Sequence, residues 1–379
     1  MRAVRMLVLG AGLQGSACAY DLLQQVEVER VTLADRRPNR LPPFLRAAGR
    51  RLRLARVNVE DMSRLGRLVR GHDAVLCALP YYYNLRVTRA AVAGGVHCAD
   101  LGGNTDIVFR QKKLHRGAAR RRVSVIPDCG LAPGMVNILA AEGIRRVGRA
   151  DAVKIYVGGL PQRPEPPLNY QIVYSLEGVL DYYTTPSWVL RDGTPTRVDA
   201  LSDVEPVEFP PPVGPLEAFH TGGGISTLPW AHEGRVRTME YKTLRYPGHA
   251  ALMRAIRALG LLDLKPVRLQ GRRVVPRDAF IASVSPRLTK RDARDVVALR
   301  VDVRGTDGRR AAWELLDRYD ERRGISAMMR TTGYSLSIIG LMQARGRIAA
   351  PGVLTPDEAV PFDPYIDELR KRGIEIREI

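Results

Sequence analysis

Three glycines, Gly10, Gly12 and Gly15, stand in the G-x-G-x-x-G spacing, whose chemistry is the binding of a dinucleotide pyrophosphate. Gly10 would make a tight strand-to-helix turn, Gly12 would let backbone approach the phosphates, and Gly15 would let the helix pack closely on the strand. The phosphates would then lie on the free N–H groups of a helix N-terminus, where the dipole favours an anion. Leu13 and Gln14 sit inside that turn. Roughly twenty residues on stands Asp35, where a carboxylate would accept from the ribose hydroxyls and repel a 2′-phosphate. That favours NAD. Arg36 and Arg37 follow at once and would suit the extra phosphate of NADP.

A glycine triplet also occurs in Gly-rich turns of unrelated α/β proteins, so the flanking elements decide its meaning. An apolar run, 6–9, precedes it, a small-residue helix follows, and a second apolar run, 28–34, leads to Asp35. Further strands are predicted at 53–59, 72–79, 96–101 and 123–128, separated by a helix opened by Glu60-Asp61 and by helices at 87–93 and 107–121. Strands alternating with helices imply a parallel, doubly wound sheet, with ligands at the carboxyl ends of its strands. Those ends are Gly10 to Gly15, Asp35, Val59, the run Ala78-Leu79-Pro80, Asp100 to Gly103 including Gly102, and Asp128 to Gly134. Val59 is either an apolar wall for the adenine or an ordinary core residue.

Past Gly134 the texture changes to short alternating runs, at 153–157, 170–174, 235–246 and 296–303, with Thr306-Asp307-Gly308 as a hairpin turn into 311–320. This predicts a mostly antiparallel sheet with one clear helix, 250–259. The expected organisation is α/β: a Rossmann-type dinucleotide domain over 1–134, an α+β substrate and oligomerisation domain over 135–325, and helices over 326–379 that return to the first domain. A helix at 335–344, another at 364–372 and a short strand at 374–376 make up that last part.

Composition excludes several classes. No run of eighteen or more apolar residues exists in the 379, and the first apolar run lacks signal-peptide grammar, so neither a membrane partner nor export is expected. The four cysteines show no C-x-x-C pairing and no Cys/His ligand spacing, which fits buried thiols in a reducing cytoplasm and no metal site. A net charge of +19 raises the question of nucleic acid. Its basic clusters, such as Arg120-Arg121-Arg122, are not interleaved with aromatics and fit no nucleic-acid module, so no specific nucleic-acid partner is expected.

Longer stretches carry a resemblance. The leading VLGAGLQGSACAYDL, then LPYYYNLRVTRAAVAGGVHCADLGGNT, DCGLAPGMVNILA, PLNYQIVYSLEGVLDYYTTP, TGGGISTLP and MEYKTLRYPGH resemble the saccharopine dehydrogenase-related family, and within it the lysine 6-dehydrogenases, over nearly the full length. The resemblance implies an NAD(P)-dependent amine oxidoreductase acting on a small amino acid, usually a homodimer or homotetramer. Saccharopine-forming reductases carry acidic residues and a histidine around the glycine-proline turn. Here the stretch Gly130-Leu131-Ala132-Pro133-Gly134-Met135-Val136-Asn137 has neither, which favours lysine as substrate.

On that reading the ε-amine must be neutral before hydride can leave its carbon, although an unperturbed lysine amine titrates near 10.4. Asp128 and Asp100, at predicted strand ends, are the candidate proton acceptors, each otherwise a turn or capping aspartate. His220 is a candidate for proton transfer near neutral pH, or a satisfied structural histidine. The α-carboxylate needs a cation. Arg245 is the first candidate and Lys242 the second, with Tyr241 in the same motif. Thr221 and Ser226 flank a glycine run that would offer N–H groups and hydroxyls to a carboxylate, or be only a flexible loop. Tyr81, Tyr82 and Tyr83 would line the nicotinamide pocket or an oligomer contact. Two alternatives stay open. One is a saccharopine-type oxidoreductase, which would need further cations such as Arg330 and Lys242. The other is a cofactor-binding regulatory protein without catalysis.

Overall fold

Apolar runs bounded by glycine or proline become the strands of the first sheet in the computed structural model, which describes residues 3–290, 293–348 and 350–379. They are β1 (Val4–Leu9), β2 (Val28–Asp35), β3 (Leu52–Arg56), β4 (Ala74–Cys77), β5 (His97–Asp100) and β6 (Ser124–Ile126). The second half supplies β7 (Ala150–Pro161), β8 (Ser187–Arg191), β9 (Thr194–Val198), β10 (Glu205–Glu208), β11 (Pro215–His220), β12 (Thr238–Arg245), β13 (Val267–Leu269), β14 (Arg272–Val274), β15 (Asp295–Gly305) and β16 (Arg310–Arg318). Two short late strands, β17 (Gly352–Val353) and β18 (Arg377–Glu378), complete the set.

The first sheet runs β17-β6-β5-β4-β1-β2-β3, every pair parallel. The second runs β10-β11-β12-β7-β15-β16-β18, with β8 attached to β12 and β9 to β8; its β12–β7 pair is parallel and its other pairs antiparallel. The protein is therefore α/β, a doubly wound parallel sheet joined to a mostly antiparallel one. Chain order alone would leave the first sheet an edge short, because β17 returns to it from residue 352. The tail strand falls at Arg377–Glu378 rather than 374–376, and pairs with β16 of the second sheet.

The Leu13–Leu23 helix is buried on almost every side, since the Ala327–Ala344 helix lies against the face that the sheet does not cover. Small residues make that crossing possible. A Cβ on Gly333 would stand 2.8 Å from both Ala17 Cβ and the Gln14 carbonyl oxygen. The contact is pinned by polar groups: buried Asp21 accepts from Ser337 Oγ and from Arg372 Nε at 2.7 Å. Gly333→Ala should lower stability in urea unfolding, because overpacking costs about 1–3 kcal/mol against the roughly 1 kcal/mol that alanine gains in helix propensity. An unchanged midpoint would mean the helices separate freely.

Three local expectations are corrected. The 107–121 helix is two, Thr105–Lys112 and His115–Arg120, because the chain turns between them to pack Leu114 on the apolar core. Residues 170–174 form no strand. They run beside Leu288 and Arg294, where Ile172 N–H donates to the Leu288 carbonyl and Gln171 Nε2 to that of Arg294. Two helices the alternation hid, Leu176–Thr184 and Pro276–Leu288, join His249–Ala258 around a separate small core. Among the described residues no helix is long and apolar enough to cross a membrane.

Candidate active site

The parallel sheet gathers Gly10, Asp35, Ala78, Asp100 and the turn after β6 at one edge. There the glycine loop has the shape its spacing demands. Gly10 sits at φ +101° with Ala78 O only 2.7 Å from where a Cβ would be, and a Cβ on Gly15 would meet the Gly10 carbonyl oxygen at 1.9 Å. Gly12 opens onto free space. The helix behind has no side-chain cap and no acidic residue in its first turn, so its N–H groups are left for an anion, and Leu13 is 52% exposed. These residues fit a dinucleotide pyrophosphate.

Asp35 closes the loop. Its carboxylate accepts the Ala11 and Arg37 N–H groups, both at 2.9 Å. Arg36 turns aside to Glu60 and Asn58. Val59 is buried in the core with Leu9, Ala34 and Val57.

A cavity of about 410 Å³ opens between this edge and the second sheet. Gln14, Ala78, Leu79, Pro80, Tyr81, Tyr82 and Gly102 line one side. Tyr241, Thr243 and Arg245 of β12 line the other, with Tyr174, Glu177, Asp181 and Tyr182 between. Strand alternation decides who faces it. Residues 241, 243 and 245 point in, so Lys242 points out. Its Nζ donates to Glu205 Oε1 and the Asp203 carbonyl, both at 2.8 Å. Its cross-strand neighbour His220 shares the outward face, with Nδ1 3.2 Å from the Tyr241 carbonyl and Nε2 3.4 Å from Asp203. The expected proton-transfer role of His220 and the carboxylate-binding role of Lys242 are corrected accordingly, as both sit behind the strand.

Asp128 follows β6, 1% exposed, at φ +62°, with neither carboxylate oxygen hydrogen-bonded among the described residues. Its Oδ1 occupies the place a Cβ on Gly102 would need, 1.8 Å away, so only glycine separates it from the cavity. Burial, then the neighbouring Asp100 and Asp357 charges, raises its pKa to about 7; the Ser226 hydroxyl and the Gly103 N–H approach and ease the shift without closing a hydrogen bond. Asp100 differs. Its oxygens accept Asn84 Nδ2, Gly102 N–H and Gln111 Nε2 at 2.7–2.9 Å, the work of a turn organiser. Gly102→Ala should cost about 2 kcal/mol or more in chemical denaturation, from a left-handed φ of +66° plus displacement of Asp128. Wild-type stability for that variant would contradict the close approach.

Arg245 is 3% exposed, yet no carboxylate pairs with it among the described residues. Nε donates to Tyr183 Oη at 3.0 Å, Nη1 to the Leu244 carbonyl at 2.8 Å, and the guanidinium lies 5.0 Å over the Tyr170 ring. Tyr183 Oη stands 3.0 Å from His249 Nε2, and His249 Nδ1 2.9 Å from the Leu168 carbonyl. Burial and then the Arg245 charge hold His249 neutral, with a pKa of about 3. A neutral ring bonded to a carbonyl carries its proton on Nδ1, so the phenol donates to Nε2 and turns its lone pairs to Arg245.

The glycine run after Thr221 packs closely against aromatic rings, with Gly222 and Gly224 in the cavity lining. A Cβ on Gly223 would stand 2.9 Å from the Tyr182 ring, and one on Gly224 2.1 Å from that of Tyr241. Thr221 Oγ1 meets Thr243 Oγ1 at 2.8 Å on the cavity side of β12, and Ser226 is buried beside Asp128. Sequence reasoning assigned no role to Tyr182, Tyr183, His249 or Glu177. For Glu177, Tyr182 and Tyr183 a signal was present in the Ser175 cap, which accepts the Gly178 N–H, followed by Asp181-Tyr182-Tyr183 on the helix.

Residues 6–126 match the family model described as saccharopine dehydrogenase NADP binding domain, and residues 130–374 the one described as saccharopine dehydrogenase C-terminal domain. A saccharopine dehydrogenase (NADP(+), L-glutamate-forming) of Saccharomyces cerevisiae is 23% identical over 85% of this chain and 87% of its own. A mitochondrial alpha-aminoadipic semialdehyde synthase of Bos taurus is 27% identical over 68% of this chain, and the match spans 28% of the bovine protein. Apo saccharopine dehydrogenase (L-Glu forming) from Saccharomyces cerevisiae superposes with a TM-score of 0.80 over 100% of both chains at 21% identity. Homospermidine synthase from Legionella pneumophila gives 0.71 over 99% of this chain and 91% of that one at 11% identity. At such identities the two structures establish a shared fold.

Proposed function

Because the chain belongs to the saccharopine dehydrogenase family, we propose that it is an NAD(P)-dependent amino-acid oxidoreductase whose substrate is lysine, oxidised at the carbon bearing the ε-amine with release of ammonia. One observation carries the choice of substrate: Arg245 is the only lysine or arginine among the described residues lining the cavity. One buried guanidinium suits one carboxylate.

The Gly10–Gly15 loop and the helix N-terminus behind it would hold the pyrophosphate of a dinucleotide whose nicotinamide would accept the hydride. Arg245 binds the substrate's α-carboxylate, its fork fixed by Tyr183 and Tyr170. Asp128, which Gly102 separates from the cavity, takes the proton of the reacting ammonium through one bridging water, and the nitrogen lone pair is left free to assist as hydride departs. The aromatic walls of Tyr174, Tyr182 and Tyr241 keep water from the reacting carbon until the imine forms. Water then adds, ammonia leaves, and the semialdehyde cyclises on its own amine.

A second reading, oxidation of saccharopine, is favoured by the similarity to yeast saccharopine dehydrogenases. It asks for cations beyond Arg245. The two candidates for that task are engaged elsewhere: Lys242 with Glu205, and Arg330 with Asp317 at 2.9 Å. Reduction of NAD and NADP by the purified protein, followed by absorbance at mildly alkaline pH with lysine, saccharopine and ornithine in turn, separates the readings. Turnover of lysine is expected. Turnover of saccharopine with none of lysine would replace the first reading by the second.

A further inference from the structure

The cavity's carboxylates do not balance in the same way as its single cation. Asp181 is already neutralised, its Oδ1 2.5 Å from Nη1 of the buried Arg277. Glu177, also in the lining, has no hydrogen bond or ion pair among the described residues and is exposed. Its place is built rather than incidental. It lies in the first turn of the Leu176–Thr184 helix, whose start is fixed by the Ser175 cap, where the helix dipole favours a negative charge. Across the mouth stand Tyr81 and Tyr82 of the first unit. Burial, then the charges of Asp181 and Glu177, hold the Tyr81 phenol above its ordinary pKa.

A buried cation without an anion and a free carboxylate in one cavity of about 410 Å³ are together complementary to a small zwitterion. Resting on the reading that lysine is the substrate, we infer that Glu177 receives the α-ammonium, the amine that does not react. The reacting amine gives its proton to Asp128. The other stays charged through hydride transfer and needs a fixed negative partner, for which Glu177 is the free carboxylate among the described lining residues. Its role is to select amino acids with one carboxylate and two amines.

Lysine without its α-amine is 6-aminohexanoate, which keeps the reacting amine and the carboxylate. The test compares kcat/KM for the two substrates in the wild-type full chain, in Glu177→Gln and in Glu177→Asp. Losing one charge-assisted contact is worth about 10–100-fold. Wild type should prefer lysine by about that factor, Glu177→Gln should lower kcat/KM for lysine by about as much while leaving 6-aminohexanoate unchanged, and Glu177→Asp should restore part of the preference. An equal fall on both substrates, or none on lysine, overturns the role of Glu177 and leaves the lysine reading intact. A wild type that oxidises saccharopine but not lysine overturns both.

Discussion

Asp128→Asn should lower kcat by about 10²–10⁴-fold, the usual worth of a positioned general base, with dinucleotide affinity unchanged. Asparagine keeps the shape beside Gly102 and cannot take a proton. The wild-type pH profile should share the cause: kcat/KM should rise with pH through about 7, where Asp128 becomes ionised. Stability should move the other way. The carboxyl has a pKa of about 7 when folded against an ordinary value of 3.8, so between those pH values the folded state binds the extra proton and stability falls as pH rises. At pH 8 the ionised carboxylate destabilises the fold and neutral asparagine relieves it. The variant should therefore be inactive with a Tm at or above that of wild type at this pH, and below pH 3.8, where the carboxyl is protonated in both states, that advantage should vanish. An inactive variant of lower Tm at both pH values would make Asp128 a structural residue.

Arg245→Ala should raise KM for lysine by about 10²-fold or more, since it removes a charge-assisted, potentially bidentate contact and leaves a desolvated carboxylate without a partner. Cofactor affinity should stay, because Arg245 lies on β12 and the glycine loop on β1. Arg245→Lys should recover only a fraction, as an ammonium cannot lie over Tyr170 and accept orientation from Tyr183 in the same way. Steady-state kinetics with titration of the dinucleotide checks both. An unchanged KM would remove Arg245 from the site.

How much of this was legible in the sequence depended on range. The glycine triplet, Asp35 and the strand ends are local signals, each carrying its own periodicity or turn residue, and the structure gathers them at the carboxyl edge of the first sheet. Arg245 was legible for another reason: its motif surrounds it with residues whose alternation on one strand sends 241, 243 and 245 the same way. The same alternation sends Lys242 outward, although its charge is the type a carboxylate would need. The outward turn of His220 depended on cross-strand register with Lys242, a pairing of residues far apart in the chain. Residues 170–174 misled because two tyrosines at even spacing imitate a strand while packing around an arginine. What stayed hidden was anything set by a distant partner, such as the Tyr183 and His249 support of Arg245, or the return of β17 to the first sheet.

That return bears on the order in which the molecule can become stable. A ribosome that has reached Ile126 has already delivered Gly10, Gly12 and Gly15, but the Leu13–Leu23 helix still lacks the Ala327–Ala344 helix that covers it, and Asp21 lacks Arg372. At about 5–20 residues per second, synthesis from Ile126 to Ala327 takes roughly 10–40 s. For that interval the nascent sheet shows an open edge and a bare apolar face, the surfaces a chaperone would shield. The nucleotide loop is among the first parts of the chain to be made and among the last to be secured.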